Sequence, residues 1–419
     1  MSAVPAGYKQ TEVGVIPDKW VTQTIAQASR KIQDYRGRTP KKLGMDWGGG
    51  DIPALSAGNV KMGFIDFDEE CYLASETLYK RWMVNGDIEQ GDIVFTMEAP
   101  LGNVALIPDN RKYILSQRTV LLQPNSNTTF SPFLYQVLMS RWFQQQLHEN
   151  ATGSTAQGIQ RRKFETLAVV CPPLPEQRAI AAALSDVDAL LVKLEQFIAK
   201  KRDIKQAAMQ QLLTGQTRLP GFSEAWEVKR LGDVASFYKG KGLPKSALMQ
   251  FGAEPCIHYG ELFTQYKETI RDVISRTDDT LNAFRSIAND VLMPTSDVTP
   301  RGLAKASCIT EDGVILGGDI LIIRSDRKSI CGTFLSYVIR SEEDQVLQLV
   351  TGSTVFHLYG TDMKKFSFSM PSLSEQTAIA TVLSDMDTEL ATLEARRDKT
   401  RALKQGMMQE LLTGRIRLV

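Results

Sequence analysis

Two short stretches of this sequence set cations beside glycine and proline in a pattern suited to phosphate oxygens. They are Tyr35-Arg36-Gly37-Arg38-Thr39-Pro40 and Tyr238-Lys239-Gly240-Lys241-Gly242-Leu243-Pro244. Glycine and proline set a tight exposed turn, and the neighbouring cations can meet an anionic backbone. Either turn alone reads equally well as plain soluble surface; the recurrence favours DNA phosphates. Beyond each turn a β-like run (residues 91–107 and 289–307) opens into a loop rich in Thr, Pro and Gly. Loops between strands can vary while their scaffold stays fixed, so Thr96 and Glu98 in the first, and Thr295, Ser296 and Arg301 in the second, are candidate DNA contacts. Farther on, Gly153-Ser154-Thr155 and Gly352-Ser353-Thr354 recur 199 positions apart. The text then diverges into Gln157, Gln160, Arg161 and Arg162 on one side and His357, Lys364 and Lys365 on the other. All are side-chain types that reach base edges or phosphates.

Other chemistries find little footing. No [DN]-P-P-[YF] methylation motif, G-x-x-x-x-G-K-[ST] phosphate loop or H-E-x-x-H zinc motif occurs. The histidines (His148, His258, His357) are isolated, which favours structural roles, although the I-H-Y-G context makes His258 and Tyr259 candidates on a DNA-facing loop. Cys71, Cys171, Cys256, Cys308 and Cys331 form no C-x-x-C pair, so reduced and mostly core thiols are expected, with no metal site. A net charge of +1 means that any basic surface is local and balanced elsewhere. No apolar stretch is long enough for a membrane span, and the N-terminus lacks a basic leader and an apolar h-region, so a cytoplasmic location is expected.

The elements that must carry these candidates are announced by an internal repeat. Residues 174–219 recur as residues 373–418 without a gap, with roughly half the positions identical. Leu184, Val187, Leu191, Leu194 and Ile198, like Leu383, Met386, Leu390 and Leu393, step by three and four and so draw one apolar seam along each of two long helices. Pro173 and Pro175 mark one start; Ser372 and Glu375 read as a capping box at the other; Gly215 and Gly414 are natural stops. Each helix therefore runs about 38 residues. A narrow seam that long needs a partner, and the other copy supplies it as an antiparallel coiled coil. A second apolar face containing Leu212 and Leu411 could be core or a docking strip for partner proteins.

The expected architecture is mixed, α+β or α/β. Two similar domains, at residues 1–172 and 221–370, are separated by helical spacers at 173–220 and 371–419. The C-terminal LLTGRIRLV followed by the N-terminal segment imitates the internal LLTGQTRLPGFSEAW, so the repeat is circular and pseudo-two-fold. A helical scaffold that binds only proteins would explain the coiled coil but leave the divergent, turn-rich domains without a purpose.

These features resemble the specificity subunit of type I restriction-modification enzymes. The carriers are the paired P-x-x-E-Q and L-S-E-Q helix starts, S-D-x-D, K-Q-x-x-M-Q-x-L-L-T-G-x-x-R-L, the G-S-T loops and the W...Y-[RK]-G-[RK] openings. The resemblance implies a non-catalytic DNA-recognition subunit whose two target-recognition domains each read half of a split double-stranded target. It further implies two methyltransferase subunits and restriction subunits as partners, with S-adenosylmethionine, ATP and Mg on those partners and no cofactor on this chain.

Overall fold

The computed structural model describes residues 4–153 and 156–418; Ser154 and Thr155 lie outside the described residues. The chain divides into two compact units, Met1–Leu194 with Arg396–Val419, and Glu195–Ala395. Each unit takes half of either long helix.

The first unit is built on a four-stranded antiparallel sheet in the order Ser29–Asp34, Thr119–Pro124, Ile93–Met97 and Leu101–Leu106. Ile93-Val94-Phe95-Thr96-Met97 is buried on both faces, which is why it reads as a continuous run rather than an alternation. Ile93, Phe95, Val120 and Leu122 join one core with Phe133, Val137 and Phe143; Val94, Ala105 and Leu121 join a second with Trp82 and Tyr113. Val21–Thr24 pairs with Ala168–Cys171 and so ties the start of the domain to its end.

The second unit repeats this plan with more strands. Its five-stranded sheet runs Ala235–Lys239, Ile320–Ser325, Val291–Pro294, Ser307–Ile309 and Thr269–Ile270, and Glu227–Arg230 pairs with Ser367–Met370. Cys171, Cys256 and Cys308 are buried, and burial pushes their thiols up to about 12, 11 and 12.

The two long helices span Leu174–Leu213 and Leu373–Leu411, 40 and 39 residues. Both are followed by a glycine at φ +72°, Gly215 and Gly414. In each unit they run antiparallel. In the first, Lys404 Nζ meets Asp188 Oδ1 at 2.6 Å; in the second, Lys205 Nζ meets Asp387 Oδ1 at 2.6 Å and Lys201 Nζ meets Glu389 Oε1 at 2.7 Å. Leu184, Leu194, Ile198, Leu383 and Leu390 of the seam are buried, and Val187, Leu191, Met386 and Leu393 are half-buried. Leu411 and Leu412 enter the core of the first unit beside Ile16 and Trp20, while Leu212 and Leu213 enter that of the second. Among the described residues no helix is long and apolar enough to cross a membrane.

Candidate nucleic-acid interface

The residues that flank the two G-S-T segments pair alike. In the first unit, Thr152 and Gly158 exchange backbone hydrogen bonds of 2.8 and 2.9 Å, and Gly158 bridges to Glu98. In the second, Thr351–Gly352 pairs with Phe356–His357, which pairs in turn with Ser296–Asp297. Thr152 and Thr351, like Gly158 and His357, stand 199 positions apart. Both turns demand glycine: a Cβ on Gly153 (φ +102°) would lie 2.4 Å from the Ala156 carbonyl, and one on Gly352 (φ +120°) 2.2 Å from that of Val355. The structure thus brings Glu98, Gly153 and Gln160 together in one unit, and Ser296, Gly352 and His357 in the other. Ser353 and Thr354 are exposed on the second turn.

In the first unit this hairpin borders an open cleft of about 530 Å³ that Arg36, Glu98, Gln160 and Arg161 help line. Arg36 is committed to Asp34, with Nε and Nη2 donating at 3.0 and 2.7 Å. Burial pushes the Asp34 carboxyl up, but the hydrogen bonds from Arg36 and the charges of Arg36 and Arg161 outweigh it and hold the group below its usual value. Arg161 donates to Glu165 at 2.7 Å and to the Ile32 carbonyl at 3.2 Å. Arg162 is exposed, and Gln157 meets His148 Nδ1 at 3.0 Å.

The basic turns are more tightly built than their composition suggests. Tyr35 is only 2% exposed; its hydroxyl accepts from Asn85 N at 2.9 Å and donates to Gln33. A buried ring cannot touch DNA, so Tyr35 belongs to the scaffold. Arg38 stacks on that ring at 5.1 Å and donates to the Trp82 carbonyl at 2.6 Å, and Thr39 caps the turn Pro40–Leu43. In the second unit Tyr238 is exposed and lies against Phe284 and Arg324; Lys239 pairs with Asp319 at 3.0 Å, while Lys241 is exposed.

Thr96 is also a scaffold residue, fully buried, with Oγ1 accepting from Asn103 N at 2.9 Å. Thr295 is nearly so, its Oγ1 3.4 Å from Asp319 Oδ1. Arg301 reaches Glu343 at 3.1 Å, and Lys364 is exposed. His258 and Tyr259 sit elsewhere, after the strand Glu254–Ile257; His258 Nδ1 accepts from Gly260 N at 3.1 Å, which leaves the ring held by its own loop.

Motif composition did not reveal what the paired E-Q starts do. Glu176, fully buried, accepts from Trp20 Nε1 at 3.0 Å and from Arg417 Nη2 at 2.6 Å. Glu375 accepts in the same way from Trp226 Nε1 at 3.1 Å and from Arg218 Nε and Nη2 at 2.6 Å each. The expected capping box at Ser372 is therefore replaced: Glu375 turns to the arginine and tryptophan, and Ser372 Oγ meets Ser374 Oγ at 3.1 Å. Gln177 binds Phe130 N, Thr128 O and Pro172 O; Gln376 binds Cys331 N, Ser329 O and Pro371 O. Each E-Q pair thereby clasps a helix start to its domain. The two arginines standing 199 positions apart were the signal that could have found it.

The family model described as "Type I restriction modification DNA specificity domain" matches residues 17–206 and 223–400. The putative type I restriction enzyme MjaX specificity subunit of Methanocaldococcus jannaschii is 23% identical over 98% of this chain and 97% of its own length. The MjaVIII specificity subunit of the same organism is 23% identical over 79% of this chain and 80% of its own. Among solved structures, the S subunit of a type I restriction-modification system from M. genitalium aligns with a TM-score of 0.61 at 14% identity, over 94% of this chain and 96% of that one. A chain solved in work on complex assembly and conformational transition of the type I R-M system aligns at 0.58 and 17% identity, over 96% and 99%. At such identities the structural likeness speaks to the fold.

Proposed function

Because the chain belongs to the type I restriction-modification DNA specificity family, with two copies of its domain in tandem, we propose that each compact unit reads one half of a bipartite DNA target. The chain is the recognition component and not the catalyst. In this reading two methyltransferase subunits and, in the full complex, restriction subunits are its partners in the cytoplasm. S-adenosylmethionine, ATP and Mg are bound there and not on this chain. The paired helices fix the number of unread bases between the half-sites, as the spacing of two readers fixes operator geometry in other DNA-binding proteins.

The observation that supports this most directly is the duplicate hairpin. Gly153 and Gly352 stand at the same 199-residue offset, and the paired position that follows each carries different chemistry in the two units, Gly158 in one and His357 in the other. One scaffold carrying two texts is what reading two different half-sites requires.

Sequencing of methylated bases in cells that carry the chain with its methyltransferase partner tests the reading. Two short specified blocks separated by unread bases are expected. A single uninterrupted block, or no preference, would sink it. Matched insertions of seven residues into both long helices should lengthen the unread gap and leave both blocks intact.

A further inference from the structure

The geometry points to Glu98 as a specificity-determining residue that accepts a hydrogen bond from the exocyclic amine of a cytosine in the half-site read by the first unit. This rests on the proposal that the unit reads DNA. Glu98 stands at the wall of the cleft, bridged through its backbone to the hairpin residue Gly158. Its side chain is 51% exposed, and its ion pair with Arg118 is loose, Nε to Oε1 at 3.6 Å. A pair so open contributes little to stability. A carboxylate among Arg36, Arg161 and Gln160 in a phosphate-binding surface is repelled by the very ligand those residues attract. It becomes favourable when it lies in a groove and accepts from a base amine.

The second unit shows that the position is a choice of reader and not a requirement of the fold. A Cβ on Gly158 would lie 3.1 Å from Glu98 Cβ and 3.6 Å from its Oε2, so the absence of a side chain at 158 is what gives the carboxylate its room. The counterpart of Gly158 is His357, whose ring stacks on Tyr359 at 6.0 Å. The counterpart of Glu98 is Ser296, which pairs with His357 as Glu98 pairs with Gly158, while the carboxylate next to it, Asp297, turns back to accept from Val298 N at 2.7 Å and Thr299 Oγ1 at 2.8 Å. One unit therefore presents an acid over a bare glycine, and the other a serine beside an imidazole.

Cytosine fits better than adenine. In the major groove the adenine amine has an acceptor on either side, its own N7 and the thymine O4, and both repel a carboxylate. Cytosine N4 has only the guanine O6 on one side and a C–H on the other.

The test uses the full chain with its methyltransferase partner, read by methylated-base sequencing and by competition among random duplexes. Glu98→Gln should make one C·G position in one half-site degenerate, with about a tenfold loss of preference there, while the other half-site keeps its sequence. Glu98→Asp should weaken the same position to a lesser degree. Unchanged preference at every position, a loss at an A·T position, or a loss spread over both half-sites would overturn the assignment. A wild-type chain with no bipartite preference would instead overturn the reading of function on which it rests.

Discussion

The two places where a domain meets the paired helices begin from the same residues and end differently. In the first unit, Asp188 of one helix pairs with Lys404 of the other at 2.6 Å and accepts from Gln136 at 3.1 Å. In the second, the equivalent Asp387 and Lys205 pair at 2.6 Å, but Tyr337 replaces Gln136 and donates at 2.5 Å, and Glu268 from the domain also reaches Lys205 at 3.2 Å. The Lys205, Glu268 and Asp387 side chains are 13, 11 and 19% exposed, whereas Asp188 is 36% exposed. Duplication preserved the helix-to-helix pair, and the divergent domains then buried it to different depths. Identical letters in the repeat therefore do not carry identical energies, because the desolvation around an ion pair sets its worth.

Removing one partner sharpens the contrast most. Lys205→Ala removes the cation that the buried Glu268 and Asp387 share, leaving Glu268 only the charge of Arg340, at a cost of about 3 kcal/mol. Lys404→Ala exposes only Asp188 to water it already meets, costing about 1 kcal/mol. Denaturant melts of the two variants check this, and equal losses would break the comparison. The Glu-Arg-Trp clasps give a second comparison of intermediate size. Arg417→Ala strands the fully buried Glu176, so we expect a loss of about 2 kcal/mol. Arg218→Ala strands the equally buried Glu375, and a matching loss in the same denaturant melts is expected; unequal losses would show that the two domains weigh the same clasp differently.

How much of this could be read in advance follows from the range of each interaction. The long helices were legible because a three-four seam is local and repeats many times, and Leu184, Ile198 and Leu383 lie buried as that period requires. The clasps were not, since Arg417 and Glu176 are 241 residues apart and S-x-x-E spells a capping box as readily as a buried carboxylate. The hairpins were half legible. Their shared offset marked them as equivalent, but the turn conformation that demands Gly153 and Gly352 is set by strands from distant segments. Burial of Tyr35 and Thr96 was hidden for the same reason: a tyrosine or threonine near a strand end looks alike in sequence whether its neighbour is solvent or, as here, Asn85 and Asn103. In sequence Arg36 and Arg38 look like open cations, and Asp34 stands nearby without any sign of the paired hydrogen bonds that hold Arg36 to it.

A smaller effect follows from acid. Burial pushes Glu268 up, but Arg340 and Lys205 outweigh it, so its folded pKa lies below the ordinary value. A lowered folded pKa adds stability that is fully present above the unfolded value of about 4.3 and is lost as pH falls from there through the folded value. Denaturant melts between about pH 3.5 and 6 should show that limb, and Glu268→Gln should flatten it. A variant that keeps the wild-type pH slope would remove Glu268 from the account.

The smallest expected effect separates the two basic turns by the occupancy of their cations. Arg36 and Arg38 in the first turn already donate to Asp34 and to the Trp82 carbonyl, and Lys239 in the second pairs with Asp319, while Lys241 projects exposed beside it. A cation that must leave an internal partner to meet a phosphate gains less than one that does not, because the exchange replaces one charge-assisted bond with another. Lys241→Ala should therefore reduce the slope of log affinity against log salt by about one, with sequence choice unchanged. Lys239→Ala should reduce it by less, and Asp319→Asn, which frees Lys239, should move the slope the other way. If Lys241→Ala instead altered the preferred base at one position, the second turn would be a reader of sequence and the division between backbone-gripping turns and base-reading hairpins would have to be redrawn.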